Sequence, residues 1–180
     1  NYFLENIIKT LDLDFDSRIV MWLLESPIQD GGQWDMFVNL IEKYGVVPQS
    51  VMPESLHSSN SRSMNQLITR TLRKFASILR EENSQGASIT NLREIKCEMM
   101  ASIYKMLCSF IGKPPSKFDW EISNKKKKFI RHQDITPLDF YNKFLSINLK
   151  DKVCLIHCPM SNKTINTLYT VNYLGNVIEG

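Results

Sequence analysis

Residues 61–82 and 89–111 carry apolar side chains at the spacing of one helix face. The first stripe is Met64, Leu67, Ile68, Leu72, Phe75, Ile78 and Leu79; the second is Leu92, Ile95, Met99, Ile103, Met106, Leu107 and Phe110. Each stretch is long enough for roughly six helical turns. The polar residues between them, 83–87 with Gly86, leave room only for a reversal. Two long helices with so short a link form an antiparallel hairpin. Gly112 and then Pro114-Pro115 stop the second helix, because glycine suits the position past a helix end and proline cannot continue the ladder. The rest of the fold has to be built around this hairpin.

Ahead of it the chain reads as shorter helices. Phe3, Leu4, Ile7, Ile8 and Leu11 fall at helical spacing. Asp16 or Ser17 can cap a second helix carrying Ile19, Val20, Trp22, Leu23 and Leu24, which Pro27 stops. Gln29-Asp30-Gly31-Gly32 reads as a turn. Trp34, Phe37, Val38, Ile41 and Tyr44 then define one face of a third helix, ended by Gly45 in the position that favours a left-handed residue. Val46-Val47-Pro48 leads out as an extended strand, and Met52-Pro53-Glu54-Ser55 as a loop.

Beyond Pro115 the period changes. Phe118-Asp119-Trp120-Glu121-Ile122 alternates apolar and polar, residues 123–128 form a polar tip, and Phe129-Ile130-Arg131 returns. Thr136 caps a helix with Pro137 at its first position and Asp139 in its first turn, carrying Leu138, Phe140, Tyr141, Phe144 and Leu145. Val153-Cys154-Leu155-Ile156 and Leu168-Tyr169-Thr170-Val171 read as two further strands. The expected class is α+β.

An apolar fraction of 43% with 23% charged residues fits a globular chain, and no apolar run approaches the roughly 20 residues that span a bilayer, so no membrane partner is expected. The net charge of +3 is too small to imply a nucleic-acid partner by itself. The one concentrated charge, Lys125-Lys126-Lys127-Lys128, reads as a solvated hairpin tip that protects an edge, or as part of a polyanion-binding surface. Cys97, Cys108, Cys154 and Cys158 are too sparse for a disulfide scaffold and read as buried free thiols, which implies a reducing compartment. The start lacks an initiator Met and any leader pattern, so the sequence is expected to begin inside a longer chain.

Asp30-Gly31-Gly32-Gln33-Trp34-Asp35-Met36, followed by Glu42-Lys43-Tyr44-Gly45-Val46, resembles the bleomycin hydrolase and aminopeptidase C branch of the papain-like cysteine peptidases. Gly112-Lys113-Pro114-Pro115, Phe118 with Trp120-Glu121, Ile135-Thr136-Pro137-Leu138-Asp139-Phe140-Tyr141 and Leu168-Tyr169-Thr170-Val171 extend the resemblance over nearly the whole chain. It implies a partial papain-like fold in three parts. Residues 1–55 would be the remainder of the helical lobe, 56–116 a helical-hairpin insertion, and 117–180 the start of the β-rich lobe. It also implies a cytoplasmic thiol aminopeptidase acting on peptides without a cofactor, assembled as a homohexamer. Secreted members place a disulfide Cys before the Gly-Gly turn, whereas Gln29 and Asp30 stand there in this chain.

Papain-type chemistry needs a low-pKa Cys, a His to take and return its proton, an Asn to orient that His, and a Gln as oxyanion donor. In the resembled family the Gln and Cys lie before the region covered by this chain, and the His and Asn lie after it. The family's nucleophile is usually followed by Trp, whereas the four Cys here precede Glu98, Ser109, Leu155 and Pro159. No catalytic residue is therefore expected within the chain. The substrate wall is: the resemblance assigns Gly31 and Gly32 to the cleft, with Asp30 and Gln33 flanking. The second glycine would offer its backbone N–H and C=O to an extended substrate. The alternative is a plain helix-entry turn.

Other candidates have blander readings beside the sharp ones. Trp34 suits core packing or substrate contact, and Asp35 a helix-dipole charge rather than a general base. Cys154, His157 and Cys158 lack the further ligand pair that a zinc site requires, so no metal site is expected. His57 and His132 stand in polar loop sequence, where solvated rings are expected. Met99, Met100 and Met106 read as core. If the chain were whole as it stands, a non-enzymatic scaffold or a nucleic-acid binder using the lysine tip would be the remaining readings.

Overall fold

The structure is a computed structural model that describes residues 2–28, 31–32, 34–123, 125–145, 147–152, 160–162 and 164–167. The chain forms two compact units, Asn1–Asp30 with Glu54–Pro114, and Gly31–Pro53 with Pro115–Gly180.

The first unit is helical: α1 (Tyr2–Lys9), α2 (Arg18–Glu25), α4 (Leu56–Ser59), α5 (Arg62–Ser84) and α6 (Ile89–Ile111). The hairpin forms as its stripes require. Met64, Ile68, Leu72, Ala76 and Leu79 of α5 are buried, as are Leu92, Met99 and Ile103 of α6. The reversal between them is closed by Gly86, at φ 92°, and by Ala87 donating its N–H to Glu82 O at 3.0 Å. Ser88 caps α6 by accepting from Asn91 N at 3.2 Å. Helix α1 buries Phe3, Leu4, Ile7 and Ile8 against the pair.

Two arginines of α5 fasten the shorter helices. Arg80 donates to Thr10 O at 3.1 Å and Leu13 O at 2.5 Å, just past the end of α1. Arg73 donates to Leu24 O and Glu25 O, both at 2.8 Å, at the end of α2. The last carbonyls of a helix lack intrahelical donors and carry the negative end of its dipole, so a guanidinium satisfies both needs.

Glu5 of α1 joins the same unit to α6. It accepts from Arg93 Nη2 at 2.8 Å and pairs with Lys96. Burial pushes the Glu5 carboxyl up, but the bonds and charges of Lys96 and Arg93 outweigh this and hold it below its ordinary 4.5. Its folded pKa lies below its unfolded one. The stabilisation is therefore complete above the unfolded value and is lost as pH falls through the folded one. Glu5→Gln is expected to lower stability by about 1–2 kcal/mol at neutral pH, since it leaves the largely covered Lys96 without its carboxylate. The difference in urea midpoint between the two proteins should close on acidification below about pH 4.5. A difference that stays constant down to about pH 3 would show that the ion pair is not its source.

The second unit holds α3 (Trp34–Tyr44), the antiparallel hairpin of β1 (Phe118–Ser123) and β2 (Phe129–Ile135), and α7 (Pro137–Phe140). A π-helical turn over Tyr141–Leu145 continues α7. The two strands pair Trp120 with His132 but Phe118 with Ile135, so β2 has one extra residue there. Asp134 takes it up in the left-handed conformation, at φ 54°, and its N–H is caught by Asp119 Oδ1 at 3.1 Å. This bulge keeps Phe118 and Ile135 on one face, where they bury with Phe140 beneath Val46, Val47, Val51, Trp120, Phe144 and Leu145.

Several expectations need correction. Met52-Pro53-Glu54-Ser55 is loop as expected, and a short helix over 56–59, to which no element was assigned, follows it because Ser55 and Ser58 complete a reciprocal cap. Val46-Val47-Pro48 joins no ladder; Val46 donates instead to Pro137 O at 3.1 Å. On α3 only Val38 is buried, while Phe37 and Tyr44 lie exposed at 49% and 60%. Cys97 and Cys108 are free, but Cys97 is exposed, on the solvent side of α6. The expected strands 153–156 and 168–171 lie outside the described residues.

Candidate functional site

Gly31 and Gly32 are exposed and stand in irregular backbone immediately before α3. Neither takes a positive φ among the described glycines, in contrast to Gly45, Gly86 and Gly112. A Cβ placed on Gly31 meets nothing within 4 Å, and one on Gly32 meets only Met36 Sδ at 4.0 Å. Neither backbone conformation nor packing among the described residues therefore demands glycine at either position. A pair of glycines that leaves an open strip of backbone lets an extended ligand approach its N–H and C=O groups closely. Asp30 and Gln33, expected from the resemblance to flank the glycine pair, lie outside the described residues.

Trp34 opens α3 half-buried, its ring 5.7 Å from that of Phe37. Asp35 is exposed in the first turn of α3, where the helix dipole favours a carboxylate. Cys154, His157 and Cys158 lie outside the described residues. Among the described residues no cluster of His, Cys, Asp or Glu is arranged to hold a metal, and no helix is long and apolar enough to cross a membrane. Lys125, Lys126, Lys127 and Lys128 are exposed at the turn between β1 and β2, with Lys127 in the left-handed region at φ 59°.

The two histidines expected in solvent are both packed against rings. His57 lies on α4, edge-on to Phe110 at 4.6 Å, with Ser63 Oγ at 3.4 Å from its Nδ1. His132 lies within β2, stacked on Trp120 at 5.7 Å and close to Phe144 at 4.5 Å. Their polar neighbours in sequence concealed partners that stand far along the chain.

Near the bulge, Arg131 donates to Asp119 Oδ2 at 2.6 Å. That bond, followed by the Asp134 N–H, holds the Asp119 carboxyl below its ordinary value. Lys143 and Thr136 do the same for Asp139 at the start of α7. Both carboxylates are engaged in holding the hairpin and the helix start, which are structural tasks. The signal for the Arg73 and Arg80 clamps in the sequence is their spacing, since two arginines seven residues apart share a helix face.

Aminopeptidase C of Listeria monocytogenes serovar 1/2a is 48% identical over 180 residues, which cover all of this chain and 40% of that protein. Human bleomycin hydrolase is 40% identical over 167 residues, covering 92% of this chain and 37% of that protein. The crystal structure of PepW from Lactobacillus rhamnosis HN001 superposes with a TM-score of 0.92 at 45% identity, over 98% of this chain and 40% of that one. The chain thus spans about 40% of the length of these relatives. The sequence profile of the Peptidase C1-like family matches residues 1–180, and the chain belongs to that family.

Proposed function

We propose that this chain is the non-catalytic middle of a cysteine aminopeptidase that removes residues from the N-termini of peptides. The thiol, imidazole and amide of its Cys-His-Asn machinery would stand outside the 180 residues. The observation that carries the reading is the pair Gly31-Gly32, at which no steric need for glycine arises among the described residues. With Asp30 and Gln33 flanking, this strip is proposed as a cleft wall that binds extended substrate through main-chain hydrogen bonds. Names of relatives at 40–48% identity support the reaction class. Residues 1–55, 56–116 and 117–180 are proposed as helical lobe, inserted hairpin and start of the β-rich lobe, a division by origin rather than by contact. Cytoplasmic location and homohexameric assembly belong to the same proposal.

The test is to read the encoding transcript past both ends and to assay its product. A Gln and a Cys-Trp upstream and a His and an Asn downstream are expected. The purified product should release free amino acids from unblocked peptides, spare N-acetylated ones, and lose activity on thiol alkylation. A product lacking those residues and inert toward peptides would overturn the reading. It would favour a scaffold that binds polyanions through the four exposed lysines.

A further inference from the structure

The helical unit carries an open groove of about 690 Å³ whose described lining is wholly polar. It follows the start of α5, where Arg62, Gln66, Arg70 and Arg73 succeed one another at intervals of four, four and three residues, one ridge of the helix. Asn65 and Ser61 complete its polar rim. No carboxylate stands among the described lining residues. The sequence makes this more than local chance: residues 55–80 contain Arg62, Arg70, Arg73, Lys74 and Arg80 but neither Asp nor Glu. An ordinary solvated helix face mixes both signs, because like charges three or four residues apart repel.

The three guanidinium groups of the groove are not equivalent. Arg73 is fixed, its Nε and Nη2 engaged by the carbonyls of Leu24 and Glu25, which leaves Nη1 for another acceptor. Arg62 and Arg70 are exposed and form neither an ion pair nor a hydrogen bond among the described residues. From Arg62 to Arg73 the helix rises by about 16 Å. One fixed and two uncommitted guanidinium groups along such a span suit an elongated ligand with several anionic oxygens, since guanidinium binds phosphate and carboxylate in a two-pronged fashion.

We infer that this groove binds a multivalent oxyanion, a polyphosphate or a polycarboxylate. The site uses none of the residues of the Gly31-Gly32 strip and does not depend on the peptidase reading. The experiment is calorimetric titration of the purified full-length protein with inorganic tripolyphosphate and, in a second arm, with citrate, at about 0.15 M salt so that diffuse surface attraction is screened. Two variants accompany it: R62Q/R70Q, and one in which Lys125, Lys126, Lys127 and Lys128 are all replaced by Gln. Glutamine nearly matches arginine in helix propensity, and neither arginine has an ion pair or side-chain hydrogen bond to lose among the described residues, so R62Q/R70Q should keep its circular dichroism. Saturable one-to-one binding is expected in at least one arm, weakened roughly tenfold or more by R62Q/R70Q and unchanged by loss of the lysines. Tighter binding of tripolyphosphate assigns the phosphate class, and tighter binding of citrate the carboxylate class. Absence of saturation in both arms would overturn the inference. So would binding lost with the lysines, or binding indifferent to R62Q/R70Q.

Discussion

Gly45→Ala is expected to lower the stability of the second unit by about 3 kcal/mol or more. Two independent terms add. Gly45 sits at φ 72°, where an L side chain crowds its own carbonyl, at a cost of roughly 1–2 kcal/mol. In addition, a Cβ on Gly45 would stand 2.2 Å from the carbonyl carbon and oxygen of Pro137 and 2.3 Å from Leu138 N. Those are backbone atoms at the first turn of α7, so no flexible side chain can move aside. Opening the contact breaks the bond from Val46 N to Pro137 O and disturbs the start of the helix that carries Phe140 into the core. Overpacking of this kind typically costs a further 1–3 kcal/mol, about as much as the backbone term. The check is urea unfolding with Trp120 as the only tryptophan, after Trp22 and Trp34 are replaced by Phe. Trp120 lies in the affected cluster, so it reports on this unit directly. A midpoint lowered by about 1 M or more is expected. An unchanged midpoint would mean that the approach of Pro137 to Gly45 is looser than the structure has it.

That contact also marks where sequence reading stops. The position of Gly45 as a helix end was legible, because the α3 stripe runs out at Tyr44 and glycine tolerates the left-handed region. The second reason for glycine was not, since Pro137 is distant in sequence and nothing local announces its approach. The same division runs through the fold. The hairpin of α5 and α6, the Ser17 and Thr136 caps and the strand pair all follow from local periodicity and capping chemistry. The bulge at Asp134, the Arg73 and Arg80 clamps and the ring contacts of His57 and His132 depend on partners that only the folded chain brings near. Periodicity also overstated burial on α3. It marks a face suited to be covered, and for Phe37 and Tyr44 the described residues do not cover it.

If the proposed cleft wall is right, Gly32→Val in the full-length protein is expected to cut hydrolysis of unblocked peptides by roughly 100-fold while leaving the melting temperature nearly unchanged. The separation of the two effects follows from the geometry. Around Gly32 the described residues offer a new Cβ only the flexible thioether of Met36 at 4.0 Å, and the residue is not in the left-handed region. The fold therefore has little reason to reject a side chain there. An extended substrate docking on the strip would reject it, because valine places two methyl groups where the substrate main chain must approach to exchange hydrogen bonds. A displacement of about 1 Å at a reacting centre is enough for a loss of that size. The loss should fall on both KM and kcat, since the same main-chain bonds bind the peptide and aim its scissile bond. Gly31→Ala is expected to be milder, because the second glycine is the one assigned the main-chain exchange. If Gly32→Val melts normally and cleaves normally, Gly31-Gly32 is a helix-entry turn and the substrate runs elsewhere. If it fails to fold, the open space around Gly32 is filled in the complete protein by residues beyond this chain. The milder Gly31→Ala, read at the level of KM, then becomes the test of the cleft wall.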